Sequence, residues 1–184
     1  EANQDLLDRN IKGKTVLITG AGGSIGSEIT RQVARNGPST LIILDSNEYG
    51  LYEIKNEIES SIPSKNLKAV IASVTNKRRM KEICQNFSVD TIYHAAAYKH
   101  VPLVEQNPFE GVSNNILGTK ACVESAIESK VETFVLISTD KAVRPTNIMG
   151  ATKRFAEMIL QSYSDDKSLD NVTRMSMVRF GNVL

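Results

Sequence analysis

From residue 15 onward, short apolar runs alternate with longer segments in which apolar side chains recur at helical spacing. Thr15-Val16-Leu17-Ile18-Thr19, Leu41-Ile42-Ile43-Leu44, Ala69-Val70-Ile71, Thr91-Ile92-Tyr93-His94 and Phe134-Val135-Leu136-Ile137-Ser138 read as strands, with a sixth over 172–180. Continuous apolar character is what parallel strands need when helices cover both faces. The intervening periodicity predicts helices over 24–36, 48–60, 77–87 and 148–163. Another starts at Asn107-Pro108, an N-cap followed by a proline at the first helical position, and carries Phe109, Val112, Ile116, Val123 and Ile127. Asn36-Gly37-Pro38 stops the first helix. Residues 1–12 form a polar lead with a helical turn at Asp5-Leu6-Leu7. Strands alternating with helices through right-handed crossovers give an α/β fold, a doubly wound parallel sheet of the NAD-binding Rossmann type, with residues 13–184 as one domain.

A net charge of +1 gives no reason to expect a nucleic-acid partner or an acidic membrane surface. The one dense basic run, Lys77-Arg78-Arg79, falls where a surface helix begins, so it reads as a solvated face. The apolar runs are too short to span a bilayer, and the polar start lacks the charge and apolar stretch of a signal peptide. Cys84 and Cys122 are far apart and have no second ligand at metal spacing, so they read as buried reduced thiols of a cytoplasmic protein.

The strand at Thr15–Thr19 runs into Gly20-Ala21-Gly22-Gly23-Ser24-Ile25-Gly26, and a helix leaves it. Gly20 permits the tight turn, Gly23 lets the backbone approach a pyrophosphate, and Gly26 lets the helix pack close to the strand. The amides of Ser24, Ile25 and Gly26 then face the phosphates. Asp45 follows Gly26 by 19 residues, the spacing at which an acid bonds the adenosine ribose; the competing explanation is a helix cap near Asn47. Ser46-Asn47-Glu48 holds no arginine for a 2′-phosphate, which favours NAD over NADP. Ser73-Val74 closes the third strand beside the adenine, and Ala95-Ala96-Ala97 leaves room for a ligand at the end of the fourth.

The glycine loop and Ala96-Ala97-Tyr98-Lys99-His100-Val101-Pro102 together resemble the extended short-chain dehydrogenase/reductase superfamily, and within it the UDP-N-acetylglucosamine 4,6-dehydratases of surface-glycan biosynthesis. The resemblance implies that Lys99 and His100 face the sugar nucleotide. It also implies that Asn115, in Asn-x-x-Gly-Thr, bends its helix and orders the cofactor site, and that the protein is a homo-oligomer. Reductases of this kind place a Ser or Thr after the fifth strand and Tyr-x-x-x-Lys on the next helix; here Thr139 and Lys153 are present, and Met149 holds the tyrosine position. A thioether exchanges no proton at a useful pKa. Three readings follow: a binding protein without activity, a methionine that is simply core, or an enzyme drawing its proton acceptor from elsewhere. Thr139-Asp140-Lys141 favours the third and is similar to the large-type members of the family, many of which carry Met.

The implied reaction oxidises C4 of the hexose, removes water across C5 and C6, and returns hydride to C6. Lys141 would be the base at C5, Asp140 the acid at C6, Thr139 the partner of the C4 oxygen, and Lys153 the holder of the nicotinamide ribose. Asp140, Lys141 or a water on Thr139 would take the C4 hydroxyl proton. Arg179-Phe180-Gly181-Asn182-Val183 resembles the border of the sugar-nucleotide site, with Asn182 toward substrate. The family's C-terminal substrate-binding portion is not present in this chain, nor are the upstream membrane helices of many large-type members. A place in the cytoplasm, or as the cytoplasmic domain of an inner-membrane protein, is therefore expected. A sugar-nucleotide 4-epimerase and a non-catalytic NAD-binding module are the alternatives.

Overall fold

A computed structural model describes residues 4–62, 66–166 and 172–181. Six strands, β1 (Thr15–Thr19), β2 (Thr40–Asp45), β3 (Leu67–Ile71), β4 (Thr91–His94), β5 (Thr133–Thr139) and β6 (Arg174–Phe180), form one sheet in the order β3-β2-β1-β4-β5-β6. Every pairing is parallel. This order reverses direction between β1 and β4, and the crevice at such a reversal is where open parallel sheets bind ligands.

Alternation along the strands splits the core into two layers. Val16, Ile18, Leu41 and Ile43 pack under α2 (Ser24–Arg35) and α3 (Glu48–Ser61), with α1 (Gln4–Asn10) below. Leu17, Ile42, Leu44, Ile92, Phe134 and Leu136 pack on the opposite face against α4 (Lys77–Asn86), α7 (Gly118–Glu128) and α8 (Ile148–Asp165). Cys84 and Cys122 are buried and free in this second layer, where burial raises both thiol pKa values. Lys77 pairs with Glu124 and Glu128, and Arg78 and Arg79 pair with Glu82, so the basic run is neutralised by its own helices. No helix among the described residues is long and apolar enough to cross a membrane.

Three elements differ from the sequence expectation. The lead at residues 4–10 is a full helix, β6 begins at Arg174 instead of 172, and a short helix, α5 (Val101–Gln106), begins beside Pro102. The helix expected from Pro108 is α6 (Pro108–Gly111), a π-helical segment over Val112–Leu117, then α7.

Candidate active site

Backbone contacts build the first wall of the crevice. Gly20 has φ +72°, and a Cβ there would lie 2.5 Å from the amide nitrogen of Ala96, so no side chain fits on either count. A Cβ on Gly26 would run into the Gly20 carbonyl oxygen, which is the close helix-to-strand packing expected of the third glycine. Gly23 is exposed and starts α2 without a side-chain cap, leaving the amides of Ser24, Ile25 and Gly26 for an anion.

Asp45 is bound into this wall. Its Oδ2 accepts from the Gly22 amide at 2.8 Å and its Oδ1 from Asn47 at 2.9 Å, while Asn47 itself caps α3 through Gly50 at 3.1 Å. Asn47, not Asp45, is therefore the helix cap. A Cβ on Gly22 or Gly50 would lie within 3 Å of the other's backbone, so the loop and α3 approach to contact. Ser73 is exposed at the end of β3, its hydroxyl 2.8 Å from that of Thr75. The Val74 side chain points the other way, 3% exposed in the core, so only its backbone can meet a ligand.

The loop after β4 forms the second wall. Ala95, Ala96 and Ala97 are half-buried, and Tyr98, Lys99 and His100 are exposed. Asn115, 1% exposed in the π-helical segment, accepts from the Tyr98 amide at 2.8 Å and donates to the Tyr98 carbonyl and the Thr152 hydroxyl, each at 3.0 Å. Its side chain is thus engaged by protein on both ends, and it fixes the loop to α8. Lys99 leans back over the glycine loop, its Nζ 3.2 Å from Ser24 Oγ, and with Tyr98, His100 and Leu103 it lines a cavity of about 400 Å³, His100 also opening α5.

Beneath the loop, His94 bridges β1 to the helical layer. Its Nδ1 is 2.7 Å from Thr19 Oγ1 and its Nε2 3.1 Å from Thr119 Oγ1. Thr119 donates its hydroxyl to the Asn115 carbonyl at 2.7 Å, so it accepts from Nε2–H, and Nδ1 accepts from Thr19. Burial, with the charge of Lys153, holds the imidazole neutral, with a pKa near 3.

The end of β5 runs into Thr139, Asp140 and Lys141. Thr139 donates to Asp140 Oδ1 at 3.0 Å, and Lys141 Nζ lies 3.6 Å from the same oxygen. Both charged side chains are about half exposed, and Thr139, then Lys141, holds the Asp140 carboxyl below the usual range. The turn Asp140–Ala142 docks on α8 at Gly150, where a Cβ would strike the Lys141 carbonyl oxygen. One turn on, Lys153 is 6% exposed and donates to the Ile137 carbonyl at 2.6 Å. That is its one hydrogen bond among the described residues, leaving two of three ammonium protons without an acceptor. Burial lowers its pKa to about 8 despite the opposing pull of Glu157. Met149 is 3% exposed, a core residue by position.

Lys153 with unsatisfied donors, Asp45 at the loop, and exposed helix amides are what a dinucleotide needs at its two ends, so the residues fit NAD. Asn182 lies outside the described residues. Sequence reasoning missed Gly22, Gly50 and Gly150, whose partners are distant in the chain, and Glu157, whose Arg179 partner is on β6. Among the described residues no group of three or more His, Cys, Asp or Glu is placed to hold a metal.

A family model described as polysaccharide biosynthesis protein matches residues 16–184. The capsular polysaccharide biosynthesis protein CapD of Staphylococcus aureus is 51% identical over 185 residues, covering all of this chain and 30% of that protein. An inverting UDP-N-acetylglucosamine 4,6-dehydratase of Campylobacter jejuni is 34% identical over 94% of this chain and 50% of its own length. The X-ray structure of Pen from Bacillus thuringiensis superposes with a TM-score of 0.87 at 36% identity, over 95% of this chain and 52% of that one. The chain therefore spans about half of the length of these relatives or less.

Proposed function

This chain belongs to the polysaccharide biosynthesis protein family, and from that premise we propose that it is the NAD-holding part of an enzyme that dehydrates UDP-N-acetylglucosamine to a UDP-4-keto-6-deoxy-N-acetylhexosamine. The observation that carries this is the Thr139-Asp140-Lys141 turn: a carboxylate and an amine docked through Gly150 onto the helix that bears Lys153. Met149 brings no phenol from α8 to this turn.

When bound, NAD supplies the hydride acceptor for C4 and the hydride for C6. Asp45 would hold the adenosine ribose, the first turn of α2 and Lys99 the pyrophosphate, and Lys153 the second ribose. Lys99 bonds Ser24 at the glycine loop and lines the same cavity as His100, so it would sit between the pyrophosphate and the sugar, with His100 on the sugar side. Thr139 donates to the C4 oxygen. Asp140, held ionised without substrate, is suited to accept the C4 hydroxyl proton first, and it then carries that proton to the departing C6 hydroxyl. Lys141 takes the C5 proton, acidic because it lies α to the new ketone, and returns it once C6 is reduced.

Incubating the full-length protein with UDP-N-acetylglucosamine in D₂O tests the assignment. Deuterium at C5 with loss of the 6-hydroxyl is the expected product. An unlabelled 4-epimer would instead make it an epimerase, and bound NAD without turnover a binding module. A nucleotide-sugar substrate and reduced thiols accord with a cytoplasmic site, free or as the cytoplasmic part of an inner-membrane protein. We also place a self-association surface at Phe109 (87% exposed), Phe155 and Met158, on helices that pack together. Phe109→Glu should lower the mass seen by sedimentation.

A further inference from the structure

We propose that Glu157 is a positioning residue, a buried carboxylate that holds three chemistry-bearing segments in register; the inference rests on the dehydratase reading above for its kinetic consequence only. Glu157 is 1% exposed on α8, one turn past Lys153. Its Oε1 accepts from Ser138 Oγ at 2.7 Å and from Arg179 Nε at 2.8 Å. Its Oε2 accepts from Arg179 Nη2 at 2.8 Å and from Arg154 Nη1 at 3.0 Å. The pair with Arg179 is a parallel two-bond fork, which fixes direction as well as distance.

Each partner leads to a different part of the site. Ser138 immediately precedes Thr139-Asp140-Lys141 on β5. Arg179 is the penultimate residue of β6, and the sequence then runs through Phe180 and Gly181 to Asn182. Glu157 shares its helix with Lys153, whose ammonium donates to Ile137 just upstream of Ser138. Together with the Lys153–Ile137 bond, the clasp ties the sheet edge to the helix by directed charge-assisted bonds, which slide less easily than apolar contacts. β6 is the terminal strand of the sheet and pairs with β5 alone among the described strands, up to Thr139↔Phe180, and the clasp adds a direct tie from that end to α8.

The consequence is a division of labour. The glycine loop and Asp45 lie at the ends of β1 and β2 and share no hydrogen bond with Glu157, so the adenosine and pyrophosphate end of the cofactor is held without it, whereas Lys153, at the other end, feels its charge. Placement of Asp140, Lys141 and the end of β6 is set by it. Misplacement by about an ångström costs on the order of 10²-fold in rate, so a partly relaxed clasp should cost about tenfold.

The test uses the full-length protein. Glu157→Gln keeps the shape but turns one acceptor into a donor facing Arg179, and Arg179→Lys keeps the charge but cannot make the fork. Both should lose less in NAD affinity than the about tenfold they lose in kcat, with a smaller change in KM, and show faster amide exchange at 139–142 and 174–180 but not at 20–26. Glu157→Asp should recover part of the kcat. Should the parent fail to act on UDP-N-acetylglucosamine, the dehydratase reading falls, and the exchange pattern alone decides the clasp. Unchanged kcat and unchanged local exchange in both variants would overturn it, as would equal loss of NAD affinity, which would mark Glu157 as part of the general core. If Glu157→Gln does not fold, Arg179→Lys, altered at a side chain 40% exposed, carries the same readouts.

Discussion

The two walls of the crevice are held by different means. On the β1–β2 side, the site is shaped by backbone against backbone: Gly20 on Ala96, Gly26 on Gly20, Gly22 on Gly50. On the β4–β5 side it is shaped by side chains: Asn115 to Tyr98 and Thr152, Lys153 to Ile137, Glu157 to Ser138 and Arg179. Backbone contacts leave no freedom and suit a constant ligand such as a dinucleotide. Side-chain bonds can be retuned residue by residue, which suits the half proposed to choose a sugar and move its protons.

The largest effect that would break this comparison is on the backbone side. Gly26→Ala should abolish NAD binding in a calorimeter and cost about 3 kcal/mol or more of stability, because neither the Gly20 carbonyl nor the start of α2 can yield. Next is Lys141→Ala, which should lower turnover by about 10²–10⁴-fold while leaving the NAD affinity and melting temperature of the parent. Asn115→Ala should cost about 2–3 kcal/mol in denaturant titrations, since it strands the Tyr98 amide and carbonyl, and it should loosen the loop that carries Lys99.

The smallest effect is a pH dependence with opposite signs in stability and function. Lys153 has a pKa of about 8 in the folded protein against 10.5 ordinarily. Between those values the unfolded chain binds more protons, so stability rises with pH, by about 1 kcal/mol from pH 8 to 9. The ammonium is also what an anionic, ribose-bearing ligand meets. NAD affinity should therefore fall over the same window, and binding near pH 8.5 should take up a proton, measurable by calorimetry in two buffers of different ionisation enthalpy. Lys153→Met should remove both trends.

The same contrast explains what was legible in the sequence. Gly20, Gly23, Gly26 and Asp45 act within a stretch of 26 residues, so spacing alone suggests their roles. The strand runs were equally plain, because parallel strands buried on both faces are continuously apolar. Gly150 and Glu157 gave no such signal. Their significance comes from Lys141 and Arg179, which the fold brings up from other elements. Asn115 was noticed for its pattern, but its three partners are set by tertiary contact. Helix α5 escaped because six residues are too few to show a period, and Val101-Pro102 reads as extended chain until the proline is seen in the first turn. The direction in which Asp140 titrates depends on the Thr139 hydroxyl and the Lys141 amine, and no residue count conveys that.

The most direct test of the central claim, that both walls close on one dinucleotide, is a crystal structure of the full-length protein with NAD and UDP-N-acetylglucosamine. The account predicts Lys153 Nζ within about 3 Å of the nicotinamide ribose hydroxyls, with Asp140 and Lys141 turned toward the hexose between C4 and C6. Asp140 and Lys141 facing bulk solvent with the sugar in place, or NAD bound away from Gly20–Gly26, would contradict it.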